Sequence, residues 1–175
     1  MASQLWFTAL ILAVGAERLV ELVVARRNSR WSFERGGVEY GRSHYPLLVA
    51  LHSGLLVGAL AEVWIRGPEF VPALGIPMLA LAIIGQALRW WCIATLGPHW
   101  NTRVIVVPGT APVRGGPYRL LHHPNYLAVV IEGAALPLVH GAWITSVAFT
   151  VLNAAVLTVR IRVENRALAS LAAPR

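Results

Sequence analysis

The chain contains no lysine and no aspartate, so its fifteen basic side chains are all arginine and its eight carboxylates all glutamate. Charged residues make up 13% of the 175 residues, against roughly 25% in an ordinary soluble domain. With 57% hydrophobic residues and a mean hydropathy of +0.61, that deficit argues against a soluble fold and for an integral membrane protein. The single cysteine, Cys92, lies inside an apolar run, which rules out an intrachain disulfide and a metal site built from cysteine alone. No G-x-G-x-x-G or P-loop pattern occurs, so a Rossmann or Walker nucleotide site is not expected. There is no internal repeat, low-complexity tract or long linker, and residues 1–175 read as one domain. The net charge of +7 sits at the ends of apolar runs and not in a basic patch interleaved with aromatics. It suits flanks that face anionic lipid, and no nucleic-acid partner is expected.

What is present is a series of apolar runs with polar breaks. About five membrane segments of ~20 residues fit. They run from about Leu5 to Ala25, Tyr45 to Ile65, Phe70 to Leu96, Asn125 to His140 and Trp143 to Val159. Their lengths favour helix over buried strand, and in lipid only helices or closed barrels satisfy the backbone. The expected fold is all-α, an integral membrane bundle of about five transmembrane helices with a cytoplasmic loop and a C-terminal helix. Leu5–Ala16 has the length of a signal-peptide core, but no basic side chain precedes it and the apolar pattern continues, so a retained first span is expected. The last two segments are joined at His140-Gly141-Ala142 and should form a hairpin.

Arginine placement gives the orientation. The first loop carries Arg26, Arg27, Arg30, Arg35 and Arg42, the third Arg103, Arg114 and Arg119, and the tail Arg160, Arg162, Arg166 and Arg175. The second loop has only Arg66 and the fourth turn none. Basic loops therefore alternate, as an odd number of spans with the N-terminus outside requires.

Two polar clusters fall on the same expected side, Gly116–Tyr126 and Arg160–Asn165. Ionisable groups at or near membrane depth read as functional by default. Arg160 and Glu164 are spaced i, i+4, which suits either a surface ion pair of at most ~0.5 kcal/mol or a pair of site residues. The first span carries Glu17, Arg18 and Glu21, best read as a neutralising triad that holds this helix to the bundle. His99, His122 and His123 have no cysteine or aspartate nearby to complete a site, and no metal is expected. His44, His52 and His140 read as interfacial or packing residues, and most tryptophans as an interfacial belt, with Trp100 set apart because it opens the polar loop.

Val113-Arg114-Gly115-Gly116-Pro117-Tyr118, then His122-His123-Pro124-Asn125-Tyr126, then Arg160-x-x-x-Glu164-x-x-x-Leu168 resembles the isoprenylcysteine carboxyl methyltransferase family over roughly residues 85–168. Gln86–Trp91 and Leu96–Trp100 look like its bacterial branch, some of whose members resemble methylases of polyketide-derived phenolic lipids and alkylpyrones. Two positions depart from the family pattern: His122 stands where arginine is usual, and Asn165 where a second glutamate is usual. The resemblance implies S-adenosylmethionine as cofactor. It would be held by Val113, Tyr118, His123, Pro124, Asn125, Tyr126 and Glu164, with Thr110, Ala111 and Pro112 running along it. Arg160 would reach the acceptor oxygen, and Tyr118 and Tyr126 would lie against the adenine or the sulfonium. The implied acceptor is a small lipophilic carboxyl or acidic hydroxyl compound entering from the bilayer, with the active site on the cytoplasmic face of a bacterial inner membrane. Two other classes fit parts of the pattern: a membrane reductase using a nicotinamide cofactor on a sterol-like lipid, and a small non-enzymatic membrane subunit.

Overall fold

The computed structural model describes residues 1–172, except the side chains of His44 and residues 170–172; Arg175 lies outside it. Five helices account for most of the chain: α1 (Ala2–Phe33), α2 (Tyr45–Arg66), α3 (Pro72–Leu96), α4 (Pro124–Leu138) and α5 (Trp143–Ala172). Two short strands, β1 (Val38–Tyr40) and β2 (Val104–Val106), pair antiparallel with Val38 opposite Val106. Three helical stretches, Tyr45–Arg66, Pro72–His99 and Trp143–Ala169, are long and apolar enough to cross a membrane. The 15 residues of α4 rise only about 22 Å, short of the ~30 Å hydrocarbon layer.

The bundle exposes many large apolar side chains and buries most of its charged ones within an otherwise apolar core. Val57, Ile65, Ile83 and Val151 are all more than half exposed, whereas Glu21, Glu62, Arg89, Glu132, Asn153 and Arg160 are buried. That inversion is the reverse of a soluble helical bundle and is what a lipid surround demands.

Each buried charge has a partner. Arg18 on α1 donates to Glu21 (2.6 Å), to Gln86 on α3 (2.7 Å) and to Glu132 on α4 (2.9 Å). Arg89 on α3 also binds Glu132, and its Nε lies 3.6 Å from Glu21. Gln86 and Trp90 both donate to Glu17. The triad on α1 does hold that helix to the bundle, and its partners are Gln86, Arg89, Trp90 and Glu132. Close approach of α3 and α4 depends on Gly85, where a Cβ would come within 2.9 Å of the Glu132 side chain.

At one end the bundle is closed. Glu62 on α2 accepts from the backbone N–H groups of Ile144 (3.1 Å) and Thr145 (2.8 Å), capping the start of α5. His140 is fully buried among Trp6, Phe7 and Phe70. The other end carries β1–β2, residues 97–123, the start of α4 and the end of α5. All the arginine-rich segments gather there.

The first loop is shorter than the sequence suggests. Arg26, Arg27 and Arg30 lie on α1, because arginine is a good helix former and basic side chains suit a helix C-terminus. α1 ends in a Schellman turn: Gly36 has φ +74°, and Gly37 N–H reaches Ser32 O (2.8 Å). α5 likewise continues well beyond the expected Val159, carrying Arg160, Glu164 and Asn165 on the same helix.

Two outcomes follow from this architecture. Reporter fusions at the two termini should report opposite sides of the membrane, the N-terminus outside, because residue 2 and residue 172 lie at opposite ends of a bundle whose arginines gather at one end. Glu132→Gln should lower stability by about 3 kcal/mol, since it takes a carboxylate from the buried Arg89 and the partly buried Arg18. Glu34→Gln, at a 73% exposed side chain, should change it by less than ~0.5 kcal/mol; thermal unfolding in detergent checks both.

Candidate active site

The segment 97–123 is too rich in proline and glycine to form a long helix, and short hydrogen-bonded turns shape it instead. Thr110 folds back on Val107 through its hydroxyl (2.7 Å). Gly116 has φ +50°, and a Cβ there would run into Thr95 and Trp91 on α3. α4 then starts with Pro124 at its first position, and the His123 carbonyl accepts from Tyr126 N (3.1 Å) and Leu127 N (3.3 Å). These turns, β2 and the end of α5 enclose a cavity of about 820 Å³.

Of the eleven expected site residues, ten line this cavity: Thr110, Ala111, Pro112, Val113, Tyr118, His123, Asn125, Tyr126, Arg160 and Glu164. Pro124 does not. It is fully buried and starts α4, so it positions its neighbours without facing the cavity.

Arg160 and Glu164 form no direct ion pair among the described residues. The Tyr126 hydroxyl stands between them, accepting from Arg160 Nε (2.9 Å) and donating to Glu164. Arg160 is 7% exposed, so the weak surface pair that the i, i+4 spacing also allowed is not what forms. The Tyr126 ring stacks on His123 with centroids 5.3 Å apart, and the Arg160 guanidinium lies 5.6 Å from its centre. His123 is held in turn by Asn165 Oδ1 (3.1 Å), with Glu164 Oε1 3.9 Å away. Asn165, one of the two departures from the family pattern, is the hydrogen-bond partner of His123. Burial, reinforced by the neighbouring Cys92, pushes the Tyr118 phenol well above the ordinary tyrosine range. The Tyr118 phenol is therefore neutral near pH 7.

A second, smaller cavity of about 200 Å³ abuts the first. Trp100, Asn101, Asn125, Tyr126 and Arg160 line both. The smaller one is a slot bordered by all five helices, mostly apolar through side chains such as Leu48, Leu56, Val129 and Leu157, with Arg18, Glu21 and Arg89 also in its wall. Val49 and Ser53, exposed on α2, lie at its rim. Arg160 and Tyr126 therefore stand where a larger chamber of mixed polar and apolar lining meets a smaller, mostly apolar one.

Sequence reasoning missed the strand wall. Val104 and Val106 are buried against Ala167 of α5, and Arg103 is anchored by Glu39 (3.5 Å) and the Tyr45 ring (5.1 Å). The β-branched run Val104–Val107 carried the signal, but a three-residue strand is too short to show periodicity. Trp100, noted only as an opening residue, is 3% exposed, and its carbonyl accepts from Asn28 on α1 (2.7 Å).

The model of the isoprenylcysteine carboxyl methyltransferase (ICMT) family matches residues 78–170. The chain is also 38% identical over 166 residues to the "uncharacterized protein YpbQ" of Bacillus subtilis (strain 168), covering 93% of this chain and 95% of that one. No solved structure matches.

Replacing Gly116 by alanine should strain the loop by about 1–2 kcal/mol, since an L-residue at that φ is unfavourable and its Cβ has no room. Limited proteolysis should then cut the 108–123 segment faster than in the parent protein.

Proposed function

The chain belongs to the isoprenylcysteine carboxyl methyltransferase family, and on that premise we propose that this membrane methyltransferase uses S-adenosylmethionine to methylate a carboxyl or acidic hydroxyl oxygen of a lipophilic acceptor. The observation that carries the reading is the position of Arg160 and Tyr126 in the wall shared by the polar cavity and the apolar slot. Methyl transfer to a lipid needs two unlike reactants brought end to end with water kept out. Two abutting cavities, the larger mixed in lining and the smaller mostly apolar, with a cation at their junction, suit that arrangement.

The larger cavity fits the cofactor in size and in donor set. Its volume lies in the ~300–1,000 Å³ range of small-molecule sites. Glu164 offers a carboxylate for an ammonium, Thr110–Val113 offer backbone groups, and His123 and Tyr118 offer rings and polar edges. When bound, S-adenosylmethionine supplies an electrophilic methyl group on a sulfonium. The protein's own contribution is positional. Arg160 spends Nε on Tyr126, which leaves its two Nη groups without a protein partner among the described residues. They hold an acceptor anion with a fork of donors. Tyr126 fixes that fork relative to Glu164, so the acceptor oxygen and the cofactor are set against each other through one hydroxyl. An acid already ionised near neutral pH requires no general base. The acceptor's tail enters from the bilayer past Val49 and Ser53.

The gathering of arginines at the loop end supports a reading in which that end faces the cytoplasm by the positive-inside rule, with the protein in a bacterial inner membrane. The family match gives no support to a nicotinamide-dependent reductase or a non-enzymatic subunit.

Calorimetry in nanodiscs should show binding of S-adenosylmethionine and none of reduced nicotinamide; the opposite result would falsify the proposal. Labelled methyl transfer into a lipid extract should yield a product identifiable by mass. Arg160→Ala should lower turnover roughly 100-fold or more with little change in cofactor affinity, and Arg160→Lys should not restore it fully. Glu164→Gln should weaken cofactor binding first.

A further inference from the structure

A third cavity, of about 190 Å³, lies deeper in the bundle. Arg18, His52, Leu56, Arg89 and Val129 line both it and the slot, so the two adjoin. The order of residues along the helices shows how they are stacked. On α4, which starts at the basic end, the slot takes Asn125, Tyr126 and Val129, and the inner cavity Val129 through Leu136. On α5, which runs back towards that end, the slot takes Leu157 and Arg160, and the inner cavity Phe149. On α1 the slot takes Arg18 through Leu22, and the inner cavity Leu10, Val14 and Arg18. The inner cavity therefore continues the slot away from the basic end. Its lining is mostly apolar, and its charged members are spent on one another: Arg18 binds Gln86 and Glu132, and Arg89 binds Glu132. Leu10, Val14, Leu79 and Leu136 stand at its far side, packed in or against the core cluster of Phe7, Ile11, Ala59 and Val63. An apolar cavity of this size excludes water and takes apolar matter.

Two occupants compete for this space. Ile83, 60% exposed on α3, lies at its edge, where an acyl chain of a bilayer lipid has access from the side. Continuity with the slot favours the other, the tail of the acceptor whose head is held at Arg160. We propose that this tail runs from Arg160 along the slot, past His52, and ends in the inner cavity, which thereby measures its length. This rests on the methyltransferase reading above and narrows its lipophilic acceptor to one with a single unbranched tail of limited length. The rise from Arg160 to Phe149 on α5, and from Asn125 to Leu136 on α4, is about 16 Å. An extended chain advances ~1.2 Å per bond, so roughly a dozen carbons fill the path. His52 stands at the passage between slot and inner cavity. Its Nδ1 is turned back on Leu48 O (2.8 Å), and its ring meets Phe149 edge to face, with centroids 5.4 Å apart. A tail already dissolved in lipid gains little by transfer into another apolar medium. Discrimination comes instead from fit: a short tail leaves the cavity partly empty, and a long one meets the packed core. Leu10, Val14, Leu55 and Leu56 come from α1 and α2, outside the stretch that the family model matches, so the length limit belongs to this chain's own first two helices.

The test uses full-length protein in nanodiscs and probes with saturated tails of graded length, at equal mole fraction in the bilayer. Alkyl hydroxypyrones and S-alkylcysteines report methyl transfer, and fatty acids report binding by native mass spectrometry. Both readouts should peak near a dozen carbons, with tails about four carbons shorter or longer reduced roughly 10-fold. Leu79→Ala, which deepens the cavity, should move the peak to longer tails, and Val14→Trp, which fills it, to shorter ones. The position of the peak is the measurement, because a general loss of stability lowers all lengths together. Should Val14→Trp fail to fold, the wild-type profile and Leu79→Ala still decide. A profile without a peak, or a peak that a folded variant does not move, would overturn the proposal: the tail then stays in the bilayer, or a bilayer lipid holds the inner cavity. If neither head is methylated, nor anything in a lipid extract, while the fatty acids still show a peak that the variants move, the methyltransferase reading falls and the tail cavity stands.

Discussion

A charge at membrane depth must have a partner, and most of this architecture depends on how that requirement is met. Arg18 and Arg89 share Glu21 and Glu132, and through them α1, α3 and α4 are fastened at one level of the bundle. α1 lies outside the stretch matched by the family, and its own apolar span is interrupted by Glu17, Arg18 and Glu21. The ionic network secures it nonetheless. Once held, the lower half of α1 does further work: Asn28 grips the backbone at Gly97 and Trp100, Ser29 meets Asn101, and the Schellman turn aims the chain so that β1 can pair with β2. One wall of the site therefore depends on an ion network near the middle of the bundle.

The site occupies a boundary between two media. On one side lies a cavity bounded by an irregular loop, which is tolerated because it sits at the basic end and not against lipid. On the other lies an apolar slot that continues into the bundle. Tyr126 is the hinge between them. Its hydroxyl links Arg160 to Glu164, its ring stacks on His123, and it contributes to both cavities. Arg160 and Glu164, one turn apart on α5, both line the larger cavity, but only Arg160 also reaches the slot, and a tyrosine from α4 stands between them.

Much of this was legible beforehand. Helix boundaries for α2 and α3 fall close to the apolar runs, since lipid selects length and composition directly. The alternation of arginine-rich segments correctly put residues 26–42, 97–123 and the end of α5 together. Ten of the eleven motif residues converge on one cavity. Other parts were not readable. The strands are three residues each and exist only because they pair with each other. The extension of α1 and α5 past the bilayer left no break in the arginine-containing segments to mark it. Arg89 and Glu132 lie 43 residues apart, and neither announces the other in the sequence.

Composition and periodicity by themselves determined the medium, the helices, the sidedness of charge and the residue types available for chemistry, because each of these depends on local transfer from water to lipid. Tertiary structure alone decided which of those residues meet. The Arg160–Glu164 spacing allows a surface pair, yet burial of Arg160 and the arrival of Tyr126 from α4 turn it into a three-membered link. In the sequence Trp100 only opens the polar loop; Asn28 on α1 draws it into the wall between two cavities. Such encounters depend on long-range packing and on the pairing of buried charge, and neither has a local signature in the chain.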